Sequence, residues 1–143
     1  MGEIRRISVE EATQLLGVGY VYVDVRSEPE FEAGHVPGAF NVPLSHQGPQ
    51  GLTPNPDFLS TMERAFGKDE RLLIGCKSGA RSLRAATELA NAGYGNIVEL
   101  RTGWDGTRDA FGRFEPGYGK LDLPVETGAP EGRRYADTSN RRR

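Results

Sequence analysis

Cys76 is the only cysteine in the 143-residue chain, and its neighbours make it a candidate nucleophile. It opens the segment Cys76-Lys77-Ser78-Gly79-Ala80-Arg81-Ser82, which combines a thiol, two hydroxyls, a turn-forming glycine and two cations. An ordinary thiol has a pKa of about 8.5, so only a few per cent is thiolate at neutral pH. Two further tenfold steps need about 2.7 kcal/mol. A helix N-terminus can supply up to about 2 kcal/mol in a partly buried geometry, and Lys77 and Arg81 add positive charge. If residues 77–82 turn their peptide N–H groups inward, the loop is an anion nest able to hold a thiolate. The alternative is a small apolar side chain that merely ends a strand, since free cysteines are often buried and inert. A tight turn at Gly79 and two cations within five residues of the sulfur favour the nucleophile.

Such a loop needs elements to hold it. Residues 72–75, Leu-Leu-Ile-Gly, form a short apolar run of buried-strand character. After the loop, Leu83, Ala86, Leu89 and Ala90 recur at helical spacing over 81–92, and Gly93 terminates the helix. Cys76 is thus predicted at a strand-to-helix crossover. Ser8 and Glu11 form a capping-box signal for a helix over 9–16. Residues 20–25, β-branched and aromatic, read as a central parallel strand with both faces covered. A helical turn is expected over 28–33, strands over 39–42 and 96–100, and helices over 57–66 and 105–111. Residues 45–56, rich in Gly and Pro, are expected to be a loop without regular structure. This alternation implies a parallel α/β sheet, whose ligands sit in the crevice beyond the strand C-termini, where Cys76 falls.

Asp24 and Arg26 end the central strand, placed either to brace neighbouring loops or to touch a substrate. Trp104, the one tryptophan, follows Gly103 and is expected near the mouth of the crevice, as pocket wall, docking surface or core residue.

With these residues in hand, the chain resembles the single-domain rhodaneses. The loop from Cys76 to Ser82 is similar to their active-site loop. Asp24-Val25-Arg26, Glu30-Phe31, Gly34-His35-Val36-Pro37-Gly38-Ala39 and Asn41-Val42-Pro43 are similar to their N-terminal signature. Two motifs in the right order, about fifty residues apart, are far more specific than either alone. The resemblance implies a rhodanese-like fold, with a parallel sheet of about five strands flanked by helices on both faces and the catalytic loop at its C-terminal edge. It further implies sulfur transfer from thiosulfate or a related donor to a thiol or cyanide acceptor through a Cys76 persulfide. The amides of residues 77–82 would hold the anionic sulfur, Ser78 would add a hydroxyl donor, and Arg81, then Lys77, would hold the anionic donor unless Arg81 turns inward to brace the loop. His35 is structural in this resemblance, and no cofactor or metal is called for. The sequence departs from the family at 101–119: where relatives often carry Gly-Gly and then Trp a few residues later, this chain has Arg101-Thr102-Gly103-Trp104 and a longer insertion, which bears on the shape of the pocket wall.

Two other readings stay open: a non-catalytic persulfide carrier or interaction module, with a sulfur-relay protein as its partner, and a phosphatase or arsenate reductase. A related family surrounds a tetrahedral oxyanion with a longer Cys-to-Arg loop, whereas four residues separate Cys76 from Arg81.

Composition sets the remaining bounds. The length fits one domain. The predicted division is a rhodanese-like domain over 1–126 and a disordered, Arg-rich tail over 127–143, the composition being poor in apolar residues beyond Val125. A net charge of −2 supplies no overall attraction to nucleic acid or anionic membrane. No run approaches a membrane span, and no apolar secretory stretch follows the first residues, so a soluble, cytoplasmic protein is expected. A lone cysteine excludes an internal disulfide, and with His35 and His46 as the only histidines a zinc cluster is not expected.

Overall fold

The structure, a computed structural model, describes residues 4–141. Five short strands form one parallel sheet in the order β1-β7-β6-β2-β3. They are β1 (Arg5–Ile7), β2 (Val21–Asp24), β3 (Phe40–Asn41), β6 (Leu72–Gly75) and β7 (Ile97–Leu100). β6 is central, in register with β2 through Val23 and Ile74 and with β7 through Ile74 and Glu99. Its side chains alternate between two cores, as the two-residue period of a strand requires. Leu72 and Ile74 pack with α3 (Phe58–Ala65) and α4 (Ala80–Asn91) on one face; Leu73 packs with α1 (Val9–Leu16) and α2 (Glu28–Ala33) on the other. All three are fully buried, which contributes about 1.5–3 kcal/mol each. This is why the run is apolar throughout.

α1 begins at the Ser8–Glu11 capping box: the Ser8 hydroxyl accepts from the Glu11 N–H at 3.1 Å, and the Glu11 carboxylate accepts from the Ser8 N–H at 3.3 Å. α4 starts differently. Its cap is Gly79, whose φ of 97° lets the chain turn from the cysteine loop directly into the helix.

Three segments depart from the sequence-based expectations. Residues 45–56 are not an irregular loop: β4 (Ser45–Gly48) and β5 (Gly51–Pro54) pair as an antiparallel hairpin, because Gly51, with φ of 99°, closes the turn. The expected helix over 105–111 is instead β8 (Gly106–Arg108), paired antiparallel with β9 (Phe114–Pro116). Asp109 organises that turn by accepting from the N–H groups of Phe111 and Arg113 at 2.8 and 2.9 Å, a local bond that competes with a helix. A 3-10 turn follows at Tyr118–Lys120.

The third correction concerns the tail expected to be disordered over 127–143. As far as residue 141 it packs against the body; residues 142 and 143 lie outside the described residues. β3 is an edge strand with exposed backbone donors to satisfy, and the Asn41 N–H donates to the Arg133 carbonyl at 2.9 Å. α5 (Tyr135–Thr138) then buries Thr138 completely, and the Thr138 hydroxyl donates to the Asn41 carbonyl at 3.2 Å. The arginines find partners: Arg133 pairs with Glu126 at 2.7 Å, and Arg141 pairs with Glu70 at 2.9 Å while lying over the rings of Phe66 and Phe40. Polar composition reads as disorder only while these carboxylates and rings are out of view.

Candidate active site

Cys76 follows the last residue of β6 and lies 2% exposed beneath its own loop. The sulfur has two polar neighbours. The Gly79 N–H donates to Sγ at 3.1 Å, and the Ser82 hydroxyl stands 3.2 Å away on the first turn of α4. The first amides of that helix have no intrahelical acceptor, so its positive end faces the loop.

The backbone of the loop is clamped by the segment after β7. The Trp104 N–H donates to the Cys76 carbonyl and the Asp105 N–H to the Lys77 carbonyl, each at 2.8 Å. Such closeness is possible only without a side chain at residue 103. Gly103 has φ of 62°, and a Cβ there would lie 2.6 Å from the Cys76 oxygen and from both carbonyl atoms of Lys77.

The predicted loop cations are committed to carboxylates. Arg81 forms a two-pronged pair with Glu30 at 2.8 and 3.0 Å, so it ties α4 to α2. Lys77 is more than half exposed and stands 3.8 Å from Asp105, a pair of small energetic value. Ser78 and Ala80 are exposed, and the hydroxyl that meets the sulfur is that of Ser82, not Ser78. Arg26 is buried, donates to both oxygens of Asp24 and, at 2.6 Å, to the Gly34 carbonyl, and lies 5.0 Å over the Trp104 ring. Burial alone would lower the Arg26 pKa; Asp24 more than offsets this and raises it. Asp24 and Arg26 therefore stand as braces, with Trp104 as a wall of the mouth. His35, fully buried, spans the Phe31 carbonyl at 2.7 Å and Glu126 at 2.9 Å, and these partners hold it as a structural residue.

Two adjoining recesses open above the loop. Glu30, Gln47, Gly51, Leu52, Lys77 and Arg81 line one; Arg26, Glu30, Ala33, Lys77, Trp104 and Asp105 line the other. The β4–β5 hairpin thus forms one wall and the segment after β7 the other. Gln47, Leu52 and Asp105 were invisible as site residues in the sequence, because only tertiary packing brings them there. Glu99 gave more signal, being a carboxylate inside the apolar strand of residues 97–100, where burial demands a partner. It is fully buried, receives the Ser82 hydroxyl, and pairs with Arg6 at 2.5 Å. Among the described residues no cluster of three or more His, Cys, Asp or Glu could hold a metal ion, and no helix is long and apolar enough to cross a membrane.

Glu30 makes a pH prediction. Burial would raise its pKa, but the bonds from Arg81 and Ser27 prevail and lower it to about 2. An unfolded Glu titrates near about 4.3, so the unfolded chain binds more protons in between and stability rises with pH there. The contribution should be full above the unfolded value and fade as pH falls through it towards about 2. Urea midpoints between neutral pH and the acid range should therefore fall less steeply for Arg81→Met than for the parent; parallel curves would contradict this.

A five-stranded parallel sheet with a lone cysteine at the strand-to-helix turn defines a class of α/β proteins with a thiol in the crevice. Within that class, the family model of the Rhodanese-like domain matches residues 8–110, and the chain belongs to this family. It is 41% identical over 98 residues to "Thiosulfate sulfurtransferase 16, chloroplastic" of Arabidopsis thaliana, covering 68% of this chain and 82% of that protein. With "Thiosulfate sulfurtransferase 18" of the same plant it shares 38% over 104 residues, covering 71% and 76%. It spans only 54% of the senescence-associated protein DIN1 of Raphanus sativus, at 39% identity over 68% of this chain. Among solved structures, Rv0390 from M. tuberculosis superposes with a TM-score of 0.73 at 26% identity, over 89% of this chain and 100% of that one.

Proposed function

We propose that the chain is a sulfurtransferase that carries a sulfane sulfur on Cys76. The observation that supports this most is the sulfur's position: at the end of β6, against the Gly79 N–H and the N-terminus of α4. The Cys76 thiolate attacks the outer sulfur of thiosulfate, the sulfur–sulfur bond breaks, and sulfite leaves with its electron pair. The persulfide anion is then attacked at its terminal sulfur by a thiol or cyanide, which regenerates the thiolate. The Gly79 N–H, already turned towards the sulfur, lowers the cost of the anion because it needs no reorganisation. Arg81, held by Glu30, keeps α4 in place. The same pair weighs against the phosphatase reading, since an oxyanion cradle needs that guanidinium turned towards its ligand.

One observation favours a second reading, in which the protein is a carrier loaded by another protein. The three cations that line the recesses all face carboxylates, Arg26 with Asp24, Arg81 with Glu30 and Lys77 with Asp105, leaving little net charge to attract a small dianion. Mass spectrometry of the reduced protein tests the proposal. Exposure to thiosulfate is expected to add one sulfur at Cys76, whereas a carrier gains it from a persulfidated protein far faster than from thiosulfate. A thiol that gains sulfur from neither source refutes persulfide chemistry altogether.

A further inference from the structure

Glu99 sits on the face of β7 that α4 covers, aligned with Arg6 of β1 on one side and Ile74 of β6 on the other. It is fully enclosed. Its Oε1 accepts from Arg6 Nε at 2.5 Å, and its Oε2 takes the Ser82 hydroxyl together with a longer bond from Arg6 Nη2 at 3.5 Å. A carboxylate paired with a guanidinium only accepts hydrogen bonds. The single proton of Ser82 therefore points at Glu99, and the Ser82 oxygen turns its lone pairs to Cys76 Sγ, 3.2 Å away. In that arrangement the sulfur is the donor, which requires a thiol. A thiolate in the same place would face lone pairs, with a buried negative charge behind them.

We propose that Glu99, acting through Ser82, is a positioning residue that controls whether Cys76 is presented as thiol or thiolate. While Ser82 donates to Glu99, the protonated sulfur is favoured. Ionisation releases the thiol proton to solvent while Ser82 stays bonded to Glu99, so the thiolate forms against the Ser82 lone pairs, and freeing the Ser82 proton from Glu99 removes that cost. The inference deepens the sulfur-transfer reading and rests on it for its functional meaning. Other charged or titratable groups face this cluster: Tyr22, Asp24 and Arg26 from β2 and its end, Arg81 with Glu30, and Lys77 with Asp105 at the mouth. All of them are retained in the variants below.

Glu99→Gln keeps shape and removes the charge. Arg6 Nε needs an acceptor, so the amide oxygen faces Arg6, the amide NH2 donates to Ser82, and the Ser82 proton is released to the sulfur. The thiolate's ultraviolet absorbance, taken as the difference from the matching Cys76→Ser protein, reports the midpoint without any demand on access to the thiol. In Glu99→Gln the midpoint is expected to move to lower pH by about one unit, so that about tenfold more thiolate is present well below it. In a Ser82→Ala background the same substitution should shift it by less than half as much. Ser82→Ala alone, which keeps the Glu99–Arg6 pair, should also lower the midpoint, because the thiol loses its acceptor. An unchanged or raised midpoint in either single variant, or equal shifts with and without Ser82, overturns the proposal. Because the titration reads the thiol itself, it stands or falls separately from any failure of sulfur uptake.

Discussion

Cys76→Ser is expected to take up no sulfur from thiosulfate and to lose turnover by about 10³-fold or more, the scale seen when an enzyme loses its nucleophile. The chain has no other thiol to substitute for it, and an alcohol is far less acidic and far less nucleophilic towards sulfur. The fold should survive. A serine oxygen at the 2% exposed position can still accept from the Gly79 N–H, so a stability change within about 1.5 kcal/mol is expected. Loss of activity in a folded protein, checked by thiocyanate formation alongside urea unfolding, separates the nucleophile from the scaffold. Turnover retained at the parent's level would refute the central role of Cys76.

Gly103→Ala is expected to give the largest change in stability. At φ of 62° a side chain costs about 1–2 kcal/mol, and forcing a methyl into packed space adds about 1–3 kcal/mol. The total, about 2–5 kcal/mol, is a large part of the roughly 5–15 kcal/mol that holds an ordinary domain. Here the crowding is with backbone, the Cys76 oxygen and the carbonyl of Lys77 at 2.6 Å, so no side chain can swing away. Relief requires the segment after β7 to lift off the cysteine loop, breaking the bonds from Trp104 and Asp105. Urea unfolding should show the loss and sulfur uptake should fall with it; parental values of both would mean that the two loops are not locked together.

These two residues also show how much was legible beforehand. Cys76 announces itself by residue type and by its place between an apolar run and a helical period. Gly103 is just as necessary, yet its reason, a close approach by residues 76 and 77, lies in a different stretch of chain. The Ser8–Glu11 cap and the apolar run of β6 were readable because capping and strand burial depend on neighbours within a few residues. The β4–β5 and β8–β9 hairpins were not. The Gly- and Pro-rich residues 45–56 satisfy turn rules and loop rules alike, residues 105–111 also admit a helical turn, and cross-strand pairing decides both. The ordering of residues 127–141 depends on Glu126, Glu70, Phe40 and Phe66 being presented at one edge of the sheet.

The family, the parallel α/β architecture and the place of the one thiol, Cys76, between a strand and a helix were determined by the sequence alone, since each rests on local periodicity or a contiguous motif. What surrounds the sulfur was decided by tertiary structure. Arg81 turns to Glu30, Ser82 rather than Ser78 meets Cys76, and Glu99 with Arg6 closes the cluster from behind. The direction of a charged side chain is set by whichever opposite charge folding brings within reach, and here that partner comes from an element distant in the chain, helix α2 for Arg81 and strand β1 for Glu99.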